Sequence, residues 1–354
     1  MNDSTANAFD YGDGVVEPGE KRHLRYDVGE TYLGDSVGVP VTIVNGAQPG
    51  PRLFLTAAVH GDELNGVKVV QEVADRYDPA ELCGTLVCLH VVNVPGYKAQ
   101  TRYVPIYDLD MNRAFPGLAN GNTASRMAKK LYDRFIAPCD LGIDFHTSTR
   151  NRTTMYHVRA DLEKPDVDRL ARTFAANVVL YGEGAEGSIR TTATNDGVPT
   201  ITVEMGRSQQ FQPVLIERAV RGVENVCAEF DLLTDRESTE PSWFVAADAD
   251  TTKRWLRADV GGLVEMQWGP YPLVHEGEPI CTITDHFVTR ERTVSAPFTG
   301  LIVGSRENPV ASPGHPLCHI LEIDRETHDT IEREIESGQF DGYQVPDRDF
   351  PYHE

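Results

Sequence analysis

LFLTAAVHGDELNGVKVVQEVADRY, residues 53–77, changes its hydrophobic period halfway along. Leu53 to Val59 form a short, almost unbroken apolar run of the kind found in buried strands. From Asn65 to Tyr77 the apolar residues Val67, Val70, Val73 and Ala74 recur on one face, which predicts an amphipathic helix. His60, Gly61, Asp62 and Glu63 lie between the two. The order strand, polar turn, helix places these four residues at the carboxyl end of a strand, where open α/β sheets bind ligands. A His and a Glu three residues apart on a tight turn can both point at one metal ion. The same pair also reads as loop polarity beside a helix N-terminus, where a carboxylate is favoured in any case.

Outward from this unit the pattern repeats. Val39 to Val44, Leu86 to Val92, Leu141 to Phe145 and Thr200 to Val203 are further β-branched runs bounded by turn signals, and Ala124 to Ile136 carries Met127, Ala128, Leu131 and Phe135 on one helical face. Strands alternating with helices predict an α/β domain with a mostly parallel mixed sheet over residues 21–237. Residues 1–20 are acidic and lack periodicity, so a loose arm is expected. The polar stretch STEPSW (238–243) marks a linker. Beyond it, GGLVEM, PLVHEG, PICTITD, APFTGLIVG and SPGHPLCHI are short apolar runs punctuated by Gly and Pro, which predicts a small all-β barrel or sandwich domain over 238–323. An acidic tail occupies 324–354, read as solvated helix or coil.

A catalytic zinc needs three protein ligands and one open position. The run Leu141–Phe145 ends in His146, which repeats the strand-end placement of His60 and supplies a third ligand. Thr200–Val203 ends in Glu204, so a carboxylate faces the same rim, where it suits a general base acting on a metal-activated water. Its plainer reading is an exposed glutamate before a turn. The segment TRYVPIYDLDMNRAFPG (101–117) has little apolar periodicity and carries Arg102, Asn112 and Arg113. Arginine forks bind carboxylates bidentately, which suits an acidic or zwitterionic substrate. A structural ion-pair hub fits the same residues.

Composition narrows the partners. The chain has 354 residues, 33 Lys+Arg against 54 Asp+Glu and a formal net charge of −21. Such a surface repels phosphate backbones and anionic lipid headgroups, so neither nucleic acid nor membrane is an expected partner. Basic residues are mostly Arg and Asp is abundant, as on proteins of a salt-rich, halophilic cytoplasm where screening weakens self-repulsion. The six cysteines show no C-x-x-C pair and are expected to be free thiols. The N-terminus has no apolar signal segment, and no run approaches 18 apolar residues, so a soluble cytoplasmic protein is expected, with a homo-oligomer compatible.

Taken together, HGDE at 60–63, TRY at 101–103 leading to MNRAFPG at 111–117, DFHTST at 144–149 and GVPTITVEMG at 197–206 resemble the succinylglutamate desuccinylase and aspartoacylase family, a branch of the zinc carboxypeptidase-like α/β/α fold. The order and spacing of these pieces are more specific than any one of them, and the resemblance covers most of the chain. It implies one Zn2+ per chain held by His60, Glu63 and His146, with Glu204 as catalytic base and proton shuttle. It further implies that Arg102 polarises the scissile carbonyl, that Asn112 and Arg113 hold a substrate carboxylate, and that Arg190, in EGSIRTT, adds another substrate contact. The activity implied is hydrolysis of the linear amide, or ester, of a small N-acyl amino acid. The segment after residue 238 is similar to a biotinyl/lipoyl-type β domain, but it holds no lysine beyond Lys253, close to its start, so carriage of a covalent cofactor is not expected. A metallocarboxypeptidase acting on peptides and a non-catalytic binding protein on the same scaffold are the two rival functions.

Overall fold

The computed structural model describes residues 6–340 apart from 106, 235–237 and 270. The first five residues of the expected arm, the expected boundary at 237 and the tail beyond 340 therefore lie outside the described residues. The N-terminal part forms strands β1 (Phe9–Asp10), β2 (Val15–Val16), β3 (Glu20–Glu30), β4 (Ser36–Asn45), β5 (Gln48–Ala57), β6 (Cys83–Leu89), β7 (Leu141–His146), β8 (Arg152–Ala160), β9 (Val178–Tyr181) and β10 (Thr200–Gly206). Its helices are α1 (Asn65–Arg76), α2 (Val94–Ala99), α3 (Thr123–Leu131), α4 (Pro165–Thr173), α5 (Ile189–Asn195) and α6 (Pro213–Glu229). The C-terminal part adds β11 (Val245–Ala247), β12 (Lys253–Arg257), β13 (Gly262–Met266), β14 (Leu273–Val274), β15 (Pro279–Thr284), β16 (Glu291–Ser295), β17 (Gly300–Arg306), β18 (Val310–Ala311), β19 (Pro316–Glu322) and helix α7 (Arg325–Ser337).

The main sheet runs in the order β12-β19-β17-β8-β10-β7-β5-β6-β4-β3. Its centre, β6-β5-β7-β10, is parallel. Alternation along β5 explains the layering. Leu53, Leu55 and Ala57 pack on one face with residues of α1, α4 and α6, while Phe54 packs on the other with residues of α3 and α5. Each central strand is thus buried on both faces, which is why it reads as a continuous apolar run. Helix α1 sits close against the sheet because residue 66 is glycine: a Cβ there would lie 2.5 Å from Cβ of Phe145.

The sheet is mixed: β8-β9 and β9-β11 are parallel like the centre, while β4 and β3 on one side and β8, β17, β19 and β12 on the other join antiparallel. Two expectations change. The β-rich region is not separate from that sheet. β17 pairs with β8 and β11 with β9, so the main sheet continues into C-terminal strands. A second, four-stranded antiparallel sheet, β16-β15-β13-β18, packs over a small cluster of Ala258, Val264, Cys281, Ile283, Ala311 and Leu317. Finally, from residue 9 the arm is ordered: β1 pairs with β2, and Phe9 and Val16 are buried in the core. Two isolated apolar side chains without periodicity suffice when both find a pocket in the main body. The six cysteines are free, and among the described residues no helix is long and apolar enough to cross a membrane.

Candidate active site

The turn after β5 is built by two backbone features. Ala58 has φ of 51°, a left-handed conformation that costs a residue with a Cβ roughly 1–2 kcal/mol, and it turns the chain sharply as it leaves the strand. Gly61 then passes so close to α2 that a Cβ would meet the Gly96 carbonyl carbon at 2.0 Å. The result brings His60 Nδ1 within 2.9 Å of Glu63 Oε1. His146, at the end of β7, places its Nδ1 2.9 Å from the other Glu63 oxygen, which also accepts the Thr147 backbone N–H at 3.0 Å. The two imidazole rings lie edge to face with centroids 4.9 Å apart.

Both outer ring nitrogens meet carboxylates. His60 Nε2 lies 3.2 Å from Asp110 Oδ1, and His146 Nε2 lies 2.8 Å from Asp144 Oδ2, whose other oxygen accepts the Thr56 hydroxyl at 2.7 Å. A ligating histidine held through its outer N–H by a carboxylate is the usual support of a metal ligand. Burial opposes ionisation of Glu63, but the two imidazoles hold its carboxyl well below the usual range. Burial likewise opposes protonation of His146, yet Asp144 and Glu63 raise its pKa well above the ordinary value. His60 Nδ1 is buried and, although 2.9 Å from Glu63 Oε1, makes no hydrogen bond of good geometry, which leaves a ligand atom of the kind a cation satisfies. One ligand atom from each of His60, Glu63 and His146 lies within 4.8 Å of the others. Two nitrogens and one oxygen, closely set and buried, fit a divalent ion of the zinc class.

Strand pairing places the fourth group. β10 runs parallel to β7 with Glu204 opposite His146, and Glu204 Oε1 is 3.3 Å from Arg159 Nε. Arg102 reaches Glu63 Oε1 at 3.0 Å through NH1. The Oδ1 atom of Asn112 accepts the Ile189 N–H at 3.0 Å, which fixes the loop to α5 and leaves Nδ2 at 3.4 Å from His146 Nε2. Arg113 is more exposed and donates to the Asn112 carbonyl at 2.7 Å. Arg190, on α5, is buried and donates to the Gly182 carbonyl at 2.5 Å; burial, helped by Arg159, pushes its pKa down to about 10.

All eight residues singled out in the sequence, His60, Glu63, Arg102, Asn112, Arg113, His146, Arg190 and Glu204, line one cavity of about 350 Å3. Other lining residues were not foreseen. Arg152 and Arg159 come from β8, and Trp255, Ser305 and His319 come from C-terminal strands. Trp255 stacks on His319 with ring centroids 4.8 Å apart, and the Arg152 guanidinium lies 5.8 Å from the centroid of the Trp255 ring. Asp144 was visible as the first residue of DFH, but the side-chain role followed only from the geometry. Nothing local in the sequence signals Trp255 or His319.

The class that fold and cavity define is an α/β protein with a candidate His-Glu-His metal centre at the carboxyl edge of its parallel strands. The chain belongs to the succinylglutamate desuccinylase/aspartoacylase family: the model for the catalytic domain of that family matches residues 49–230, just over half of the chain. A relative, N-alpha-acetyl-L-2,4-diaminobutyric acid deacetylase of Halomonas elongata, is 23% identical over 299 residues, covering 81% of this chain and 86% of the relative. The succinylglutamate desuccinylase of Pseudomonas paraeruginosa is 26% identical over 230 residues, 59% of this chain and 67% of the relative. Among solved structures, the product-bound ectoine utilization protein EutE (DoeB) of Ruegeria pomeroyi superposes with a TM-score of 0.75 at 21% identity, covering 87% of this chain and 97% of that one. A succinylglutamate desuccinylase structure from a Silicibacter species gives a TM-score of 0.74 at 23% identity, covering 91% of this chain and all of the other. These likenesses extend the shared fold well beyond residue 230.

Proposed function

We propose that this protein is a zinc-dependent deacylase that hydrolyses the amide bond of a small N-acyl amino acid bearing at least one carboxylate. The observation that carries this reading is the arrangement of one cavity: a buried His60, Glu63, His146 donor set, Glu204 beside it on the neighbouring strand, and arginines around the rest. His60, Glu63 and His146 would hold the zinc, which when bound would supply a Lewis acid and lower the pKa of a water to about 7. Glu204 takes the proton of the attacking water and returns it to the leaving amine. Arg102 faces the negative charge that develops on the carbonyl oxygen. Asn112 Nδ2, Arg113 and Arg190 hold the substrate carboxylate. Family membership supports the reaction class, as do the deacetylase and desuccinylase names of relatives.

The zinc carboxypeptidase-like reading of the α/β/α body belongs to the same proposal, supported by the parallel centre of the sheet with helices on both faces. A small barrel or sandwich at the C-terminus has support only from the four-stranded antiparallel sheet. The proposed setting is the cytoplasm, with a small molecule as partner rather than nucleic acid or membrane, in keeping with the net charge of −21. Charge also ranks the substrates. Five arginines line the cavity against the carboxylates of Glu63 and Glu204 alone. N-acyl aspartate and glutamate derivatives fit that charge better than acyl diaminobutyrate, whose second amine finds no free acidic partner. The test is to purify the protein without chelator, count bound metal and assay acetyl- and succinyl-amino acids beside short peptides. One zinc per chain with release of free amine supports the proposal; preferential peptide cleavage transfers it to the carboxypeptidase reading, and absence of both metal and turnover sinks it.

A further inference from the structure

Away from this cavity a second set of donors converges. One donor atom from each of His275, His328 and Glu332 lies within 4.8 Å of the others. His328 and Glu332 are four residues apart on α7 and so occupy one face of that helix. His275 meets them from the turn directly after β14. His328 Nε2 is 3.4 Å from His275 Nδ1, with the rings edge to face and their centroids 5.2 Å apart. Tetrahedral coordination at zinc–nitrogen distances of about 2.0–2.1 Å places two ligating nitrogens about 3.4 Å from each other. The outer nitrogen of His328 is held too: Nδ1 lies 3.0 Å from Asp329 Oδ1, which leaves Nε2 as the inward atom. His275 is set by its backbone N–H, which donates to Glu278 Oε2 at 2.8 Å.

We propose that His275, His328 and Glu332 form a second metal site, for a divalent transition ion of the zinc, nickel or copper class, which fastens α7 to the β14 turn. Two imidazoles and one carboxylate suit those ions and not magnesium or calcium, which take oxygen ligands. The site is open to solvent, so water completes the coordination. The helix has use for such a fastening, since Ile331 is the one fully buried residue of α7. A plain imidazole–imidazole hydrogen bond accounts for the 3.4 Å contact equally well, but it gives no reason for zinc to bind there.

The test uses the full-length chain, stripped with chelator, and Zn2+ alone as the probe. Wild type should bind two ions per chain and His328→Ala one. The variant His146→Ala should retain one, which the double variant with His328→Ala loses. This arrangement separates the two sites: if the cavity binds no zinc, wild type binds one ion and His328→Ala none. Amide exchange in α7 gives a second readout. With Zn2+ at ten times its dissociation constant, opening of the helix should slow about tenfold in wild type. It should be unchanged in His328→Ala and slowed less in Glu332→Gln, while Mg2+ should have no effect. Equal zinc stoichiometry in wild type and His328→Ala, or zinc binding that leaves α7 exchange unaltered, would overturn the proposal.

Discussion

The carboxyl edge of β5, β7 and β10 and the four-stranded sheet β16-β15-β13-β18 represent two ways of building a surface. At the first, side chains are fixed in chains of contacts: Thr56 to Asp144, Asp144 to His146, His146 to Glu63, Glu63 to Arg102. Their strands are buried on both faces by large apolar clusters. At the second, six small or medium apolar residues form the core, and the hairpin tip exposes Phe287 and Val288. Reaction geometry demands positions held to fractions of an ångström, so it sits where backbone and packing over-determine each side chain. A thin sheet with one covered face tolerates more movement.

The sharpest way to break this contrast is Glu204→Gln. The strand-end placement predicts a drop in kcat of roughly 10²–10⁴-fold with zinc content unchanged, read from turnover and metal analysis on the same sample. Full activity in that variant would remove Glu204 from the proton path. Packing gives the next effect. Leu55→Ala, in the large cluster, should cost about 3–5 kcal/mol in denaturant unfolding, whereas Ile283→Ala, in the small one, should cost about 2 kcal/mol because its surroundings can collapse. Equal losses would mean that the thin sheet is packed as tightly as the main body.

A pH series sharpens the same contrast. Burial, with a smaller contribution from His23, pushes the pKa of His90 down from 6.5 to about 4. Burial, then Arg159 and Lys253, does the same to His319 in β19. The unfolded chain therefore binds protons that these folded sites refuse. Stability is unaffected above about pH 6.5, declines as pH falls through 6.5 toward 4 and levels off below. Each residue accounts for at most about 3 kcal/mol of that decline. His90→Gln and His319→Gln should each flatten part of it when urea midpoints at pH 7.5 and 4.5 are compared. The smallest effect is expected at the exposed Arg292–Asp259 pair, where Arg292→Ala should change stability by about 0.5 kcal/mol or less.

Local order was legible in the sequence, and distant pairing was not. The switch of period between Leu53–Val59 and Asn65–Tyr77 located α1 to within a residue, and with it the candidate metal-binding turn and the C-terminal half of β5, because burial on both faces leaves an unbroken apolar run; β5 itself begins five residues earlier, at Gln48, where the polar and Pro/Gly residues give no such run. β8, with the sequence RTTMYHVRA, was missed, since polar residues interrupt its apolar ones. That omission concealed Arg152 and Arg159, two of the five arginines that line the cavity. The joining of β17 to β8 had no local signal of any kind, so the expected division near residue 237 looked like a boundary when the sheet in fact continues across it. His60, Glu63, His146 and Glu204 were readable because each stands at the end of a strand-like run. Trp255 and His319 reach the cavity through strand pairings that only the folded chain reveals.

That continuity also dictates an order of events during synthesis. Thr154 hydrogen-bonds to the Val303 carbonyl, a partner 149 positions later in the chain. While the ribosome is still making the intervening segment, the beginning of β8 has no neighbour on its outer side, and an unpaired strand edge invites association with other chains. The nascent protein thus carries a sticky seam until residues 300–306 arrive to close it, and a chain cut after α6 should aggregate rather than persist as a small working enzyme.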